Sequence, residues 1–452
     1  MLKKFDRRQL LTTGIGVSGG ILAESGQPIQ LKGSLMKGRD CGLEGQHTFG
    51  HGPLFMEEYH QGTMEILGRL SGELDQVGDL TSRAVRIIRN GGTVWTSMDD
   101  GHMPMAEQSQ TRRGNPGILK NHKGLDFKTF EKLQSGDMVF TNQCNRAVLR
   151  ARDRGVYVVA VTVNYIDNEF RPAGFTNPNE DNLMLKDVSN EVLHSHVPYY
   201  QGLVHAPQIP ELTLCPSTTT GSSTLHWMLT AEIANKLWTS SSKKVDKSAE
   251  YLRILTERIE KTKEHWNSIR QVAVEMTRRI RQGGRWFVRS LEHHGFQSEL
   301  QGVASGPSIV NWGDWGKSKT HNVMLINAIS PGYPPEIKLA QEKQVEGAYV
   351  IGIGPDSLDG ESAHGRLIDV ADVGFNNFSP EWDGIIQIPG RAKRICPTSG
   401  IVGNVIQQMI CAQWTDEMVR RGSVPYFWMG YFQAGGRAYY NAIHPFFESR
   451  GF

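Results

Sequence analysis

The sequence predicts an α/β protein in which one parallel-sheet domain occurs twice. Three observations predict it. A helical lead-in ends in Arg89-Asn90-Gly91-Gly92 before the short apolar run Thr93–Ser97, and the same ending returns as Arg281-Gln282-Gly283-Gly284 before Arg285–Ser290. Short β-branched runs alternate with stretches of helical periodicity, the order that builds parallel sheets with crossover helices. Two Cys-Pro pairs, Cys215-Pro216 and Cys396-Pro397, each precede a helix rich in small and hydroxyl residues at its start.

The chain of 452 residues has room for two or three domains, each able to bury its own core. A net charge of +2 gives no broad pull toward nucleic acid or a membrane surface. Five cysteines without a CxxC pair fit neither a disulfide framework nor a zinc ribbon.

Residues 1–26 read as a twin-arginine-type export signal. Lys3, Lys4, Arg7 and Arg8 precede the mildly apolar, glycine-rich Leu10–Ala23, which is too short to span a membrane. This predicts a periplasmic or other extracytoplasmic protein without a stable membrane anchor; the alternative is the basic tail of a cytoplasmic protein. Residues 27–54 read as a linker or surface arm.

The first domain is expected over 55–240. It opens with helical spacing from Glu57 to Asn90, divided at Gly78. Strands follow at Thr93–Ser97, Met138–Asn142 and Val156–Val163, the last continuous and β-branched as in a strand buried on both faces. A helix over Ala147–Arg154 stops at Gly155. Val188–His194 and Glu211–Cys215 are further strands, and Ser222–Leu237 is a helix. After a polar linker the second domain, 248–452, opens with one long amphipathic helix. Strands follow at Trp286–Arg289, Asn322–Asn327, Ala348–Ile353, near Val370–Phe375 and at Ile386–Pro389, then a helix after Cys396-Pro397.

The polar loop Met98–His102 and the helix start after it carry the candidate chemistry. His102 sits in the loop. Glu107 lies one turn into the helix and can lean back toward the loop, so the two form a candidate acid/base pair. The plainer reading gives Glu107 to the helix dipole and His102 to a loop hydrogen bond. The second copy repeats the spacing as His294 and Glu299. Asp99 and Asp100 suit sugar hydroxyls or a divalent ion, or simply a turn. Ser217, Thr218 and Thr219 open a helix and suit an anion, a polyol or an N-cap. Arg112 and Arg113 suit a phosphate or carboxylate, or a solvated face. His194, His196 and His205 suit a metal only if they converge. No cofactor is assigned; a divalent metal is an option.

Several segments resemble the SIS (sugar isomerase) domain family, and more closely a set of uncharacterised, phosphosugar-isomerase-like SIS proteins. Gly101-His102 with Glu107 resembles the family's G-H-S…E loop, Gly136-Asp137 its G-D, and Pro216-Ser217-Thr218 its P-S-T. Ser330-Pro331 through Pro335-Glu336-Ile337, Leu367–Asn377, Ser379-Pro380 and Asp383-Gly384 resemble later segments in family order. The resemblance covers about residues 55–445. It implies two tandem flavodoxin-like domains, each a parallel sheet flanked by helices, and a sugar or sugar derivative bound at the strand ends.

It also implies aldose–ketose proton transfer by Glu107 and His102. Asp99, Asp100, Asn142, Asn145, Ser217, Thr218, Thr219, His294, Glu299, Ser330 and Glu336 would surround the ligand, and a homo-oligomer is the expected assembly. The first loop has Met103 where the motif serine stands, and Asn142-Gln143-Cys144-Asn145 holds no hydroxyl. These departures point to an unphosphorylated sugar. The alternatives are a carbohydrate lyase or etherase, and a non-catalytic sugar-binding or regulatory protein.

Overall fold

Each half begins with two helices set end to end. In the first half these are α1 (Phe55–Leu70) and α2 (Leu74–Arg89), joined by a turn at Ser71–Glu73. The break is therefore not at Gly78, which lies buried inside α2. A Cβ there would meet the Lys244 carbonyl oxygen at 2.8 Å, so this glycine admits the inter-half linker. The computed structural model describes residues 54–99, 101–121, 128–163, 183–291, 300, 304–311, 319–356, 365–380, 383–430 and 435–452. The expected export segment lies outside these residues.

Five parallel strands follow: β1 (Val94–Ser97), β2 (Lys120–Asn121), β3 (Met138–Thr141), β4 (Tyr157–Val161) and β5 (Glu191–Leu193), in the order β2-β1-β3-β4-β5. β3 is buried at every residue, as a strand covered on both faces requires. An antiparallel hairpin, β6 (Gly202–His205) with β7 (Thr213–Pro216), leads into the long helix α3 (Thr218–Thr239).

The second half repeats this order. The expected single long helix is two, α4 (Lys247–Lys261) and α5 (Trp266–Arg281), with a tight turn at Thr262–His265. The strands are β8 (Trp286–Arg289), β9 (Val310–Asn311), β10 (Val323–Asn327), β11 (Tyr349–Gly354) and β12 (Val373–Asn376). They pair in parallel as β9-β8-β10-β11-β12. The hairpin β13 (Gly384–Ile386) with β14 (Ile395–Pro397) leads into α6 (Ser399–Arg420), and α7 (Gly436–Arg450) closes the chain. The fold is thus α/β, with parallel sheets flanked by helices. The hairpins differ from the expectation of additional parallel strands.

The two halves interlock, and residues 51–452 form one compact unit. The first helix of each half packs on the long helix that follows the hairpin of the other: α1 on α6, and α4 on α3. One apolar core runs through both, with Trp227, Trp286 and Trp414 fully buried in it. Tyr59 Oη donates to the Pro216 carbonyl at 3.1 Å, and Tyr251 Oη to the Pro397 carbonyl at 2.7 Å. Both cysteines before these prolines adopt left-handed backbone, φ +62° and +61°. Their N–H groups cross between halves, Cys215 to the Ser305 carbonyl at 2.9 Å and Cys396 to the Gly114 carbonyl at 2.8 Å. Those bonds offset the conformational cost of a non-glycine residue at positive φ.

The Gly-Gly pairs have a steric reason. Gly91 and Gly283 terminate their helices at φ +87° and +90°. Gly92 and Gly284 have no room for a side chain: a Cβ would stand 2.5 Å from the Gly136 carbonyl oxygen and 2.0 Å from that of His321. Beyond each pair a buried side chain catches the N–H just before the strand. Asp137 accepts from Thr93 at 2.8 Å, and Asn322 from Arg285 at 3.0 Å. Gly284→Ala should therefore cost on the order of 2 kcal/mol in chemical denaturation. Gly72→Ala, where a Cβ meets nothing within 4 Å, should change stability by less than about 0.5 kcal/mol.

Candidate active site

The loop after β1 is a tight turn. The N–H groups of His102 and Met103 donate to the Asp99 carbonyl at 3.1 and 3.0 Å. Gln108, fully buried, fastens the loop from behind. Its Oε1 accepts the Met98 N–H, and its Nε2 donates to the carbonyls of Met98 and Met103, each at 3.0 Å. Nothing in the sequence marked Gln108, since a buried amide stapling a loop has no spacing signature.

Across the strand ends, Asn142 follows β3. Its Oδ1 accepts the Asp99 N–H at 3.1 Å and its Nδ2 donates to Asp99 Oδ2 at 2.5 Å. Asp99 Oδ1 lies 2.5 Å from His102 Nδ1. Burial pushes the Asp99 carboxyl upward, but His102, Asn142 and the Gly101 N–H outweigh it and hold the group below the usual carboxylate range. An ionised carboxylate only accepts hydrogen bonds, so Nδ1 of His102 carries the proton and the ring is held in one orientation. His102, Asp99 and Asn142 thus converge where the first sheet presents the carboxyl ends of its strands. Asn145 is turned away from them. It caps the helix over Arg146–Asp153, accepting from the N–H groups of Ala147 and Val148 at 2.9 and 3.2 Å.

Glu107 lies in the short helix Met105–Gln108, and both its oxygens are engaged. Oε1 accepts from Arg112 Nε at 3.0 Å and Oε2 from Trp227 Nε1 at 2.5 Å. Arg112 then reaches the other half: Nη2 donates to Asp383 Oδ2 at 2.6 Å and to Ser399 Oγ at 2.9 Å. Asp383 Oδ1 accepts the N–H groups of Thr398 and Ser399 at 3.2 and 2.9 Å, so it occupies the N-terminus of α6. Arg112, Glu107 and Asp383 side chains are at most 2% exposed. Burial works against the guanidinium charge, and Asp383 and Glu107 more than offset it. Arg112 is therefore no solvated helix face. Arg113 also crosses, donating to Ser330 Oγ in the loop after β10. Trp227, Asp383 and Ser399 are members that sequence reasoning did not assign.

The remaining expected residues are placed as follows. Ser217 makes no side-chain cap; its Oγ donates to the Gln201 carbonyl at 2.8 Å. Thr218 Oγ1 donates to Gln201 Oε1 at 3.1 Å, and Thr219 is buried in the first turn of α3. Gln201 precedes its hairpin as Asp383 precedes the other, both at positive φ. Glu336 is fully buried and accepts the Leu291 N–H at 2.8 Å, fixing the loop after β8. Asp100, His294 and Glu299 lie outside the described residues.

Of the histidines expected as a possible metal set, His194 and His196 lie with their ring centres 6.1 Å apart, and His196 and His205 go to separate carboxylates. His196 pairs with Glu73 and His205 with Glu58, both at 2.8 Å. Among the described residues no group of three or more His, Cys, Asp or Glu side chains is arranged to hold a metal ion. Among the same residues, no helix is long and apolar enough to cross a membrane.

No protein-family model matches the chain. It is 28% identical over 131 residues to a UPF0309 protein of Shouchella clausii, covering 28% of this chain and 53% of that protein. It is 26% identical over 106 residues to a UPF0309 protein of Brucella canis, covering 23% and 44%. The chain thus spans about half the length of the curated relatives it matches. Among solved structures, it is similar to a putative phosphosugar isomerase of Clostridium difficile, with TM-score 0.46, 12% identity and coverage of 83% and 96% of the two chains. It is also similar to the C-terminal domain of glucosamine-fructose-6-phosphate aminotransferase from Francisella tularensis, with TM-score 0.44, 7% identity and coverage of 85% and 99%.

Beside Trp227, His226 is buried against the indole at 4.6 Å between ring centres. Burial pushes its pKa down to about 4, with Glu107 opposing. Burial also lowers His60 and His265. Below pH ~6.5 an unfolded histidine takes up a proton that these folded rings resist, so stability falls as the pH drops. For His226 the loss runs from about pH 6.5 to 4 and then levels off. Denaturant titrations across this range should show the decline. His226→Leu should be less stable at pH 8 yet flatter in pH, by up to about 1.4 kcal/mol per pH unit.

Proposed function

We propose that this chain is a sugar isomerase-like protein of SIS type, with two such domains in tandem, acting on an unphosphorylated sugar or sugar derivative. The observation that carries the reading is the His102–Asp99 pair, 2.5 Å apart, held by Asn142 at the strand ends of the first sheet. Ligands of open α/β sheets bind at that edge. With Nδ1 occupied by Asp99, Nε2 is the ring nitrogen that exchanges a proton with a substrate.

In this reading His102 Nε2 takes the proton from the carbon beside the carbonyl, and Asp99 stabilises the imidazolium. The enediolate so formed reorganises, its one hydroxyl proton moving to the oxygen that was the carbonyl. His102 then returns its proton to the former carbonyl carbon. Of the two residues expected to move protons, we assign the transfer to His102. Glu107, engaged by Arg112 and Trp227, is assigned to positioning.

An ionised Asp99 with Asp100 beside it in sequence disfavours a phosphate group at this loop. Export through the Arg7-Arg8 segment belongs to the same proposal, since free sugars are the form met outside the cytoplasm.

The test is proton exchange in D2O. Full-length protein is incubated with free sugars, sugar acids and sugar phosphates, and deuterium at the carbon beside the carbonyl is followed by NMR. Exchange into a free sugar or sugar acid is expected. His102→Gln should lower the rate by about 10²–10⁴-fold with little change in affinity. Exchange confined to phosphate esters, or a full rate in His102→Gln, would refute the assignment.

A further inference from the structure

Beneath the His102 loop is a small cavity that the proton-transfer chemistry does not use. It lies between α3 and the first sheet. Met98 and Met103, which bracket His102 in sequence, form one side; Thr96 and Phe140 belong to the strands; Ser222 and His226 come from α3. The space suits a group about the size of one water molecule.

Most of the lining residues are apolar, but two of them carry a polar atom without a hydrogen bond. Ser222 Oγ and His226 Nε2 have no partner among the described residues, although the residues are only 2% and 5% exposed. Ser222 and His226 are four apart on one helix face, so both can address a single group. Two buried polar atoms on residues that line one cavity are a disfavoured arrangement unless something hydrogen-bonds to them.

We propose that this cavity is a subsite for one free hydroxyl of the sugar, with Ser222 Oγ and His226 Nε2 as its hydrogen-bond partners and as the residues that select the free sugar over its phosphate ester. A hydroxyl both donates and accepts, so it satisfies a serine and a neutral imidazole together. A phosphate would not fit the same place. No lysine or arginine lines the cavity, and an unpaired dianion in such surroundings is strongly disfavoured. This subsite rests on the sugar reading above and gives it a residue-level basis for specificity.

Calorimetric titration of the full chain tests it, with a panel of free hexoses and pentoses and their terminal phosphates. The wild type should bind a free sugar at least about tenfold more tightly than its phosphate. Ser222→Ala, which adds no volume, should weaken that sugar by about tenfold, the worth of one hydrogen bond of ~1.4 kcal/mol. Ser222→Val, which fills the space, should weaken it further, as should His226→Leu. Thermal melts confirm that each variant is folded.

Phosphates binding as tightly as free sugars would overturn the proposal. So would free-sugar affinities unchanged in all three variants, the outcome if the cavity holds an ordered water only. Binding that depends on Ser222 without proton exchange would sink the isomerase reading and leave the subsite standing. Binding of no member of the panel would remove both.

Discussion

The buried guanidinium of Arg112 is the constraint on which the site depends. It lies between Glu107 of its own half and Asp383 of the other, 271 residues away in sequence. Two carboxylates and one cation, all buried, survive only if every remaining oxygen is hydrogen-bonded. Trp227 supplies one donor to Glu107. Thr398 and Ser399 supply backbone donors to Asp383. These groups belong to three different elements. Glu107 fixes the helix after the His102 loop, Trp227 fixes α3, and Asp383 with Ser399 fixes the start of α6. The same contacts tie one half to the other, so the loop geometry and the docking of the halves are one problem.

The halves share a frame and differ in chemistry. The Tyr-to-Pro carbonyl bonds, the crossed Cys N–H bonds and the strand orders correspond throughout. At corresponding places, however, the hairpin entry is Gln201 in one half and Asp383 in the other. The neutral amide of Gln201 meets a threonine hydroxyl. The carboxylate of Asp383 takes two backbone N–H groups and the arginine. Charge has thus been concentrated on one of two similar seams, while the His102–Asp99–Asn142 cluster stands at the end of the first sheet.

Much of the frame was legible in the sequence because local rules govern it. Gly-Gly before a strand signals a helix stop followed by close backbone approach, and both pairs do this. Continuous β-branched runs signal strands covered on both faces. What escaped was set by tertiary contact. The break at Ser71–Glu73 holds Gly72, but one glycine in a helical pattern does not mark a stop by itself, and Gly78 in the same pattern stays inside a helix, where it serves a contact with the linker. Asp99, His102 and Asn142 were visible as candidates, yet only the pairing of β1 with β3 shows that they meet. Adjacent arginines at 112 and 113 look like a solvated face, because nothing nearby in sequence announces Asp383. Gln108 and His226 read as ordinary helix residues until their surroundings are known.

The most direct measurement is urea unfolding of the full-length chain and two variants. Arg112→Met alone leaves two buried carboxylates without their cation and should lose about 3–5 kcal/mol. Adding Glu107→Gln and Asp383→Asn removes those charges and should restore about half of that loss or more. A change below about 1 kcal/mol in Arg112→Met, or a triple variant no more stable than the single one, would contradict the central role of this buried ion trio.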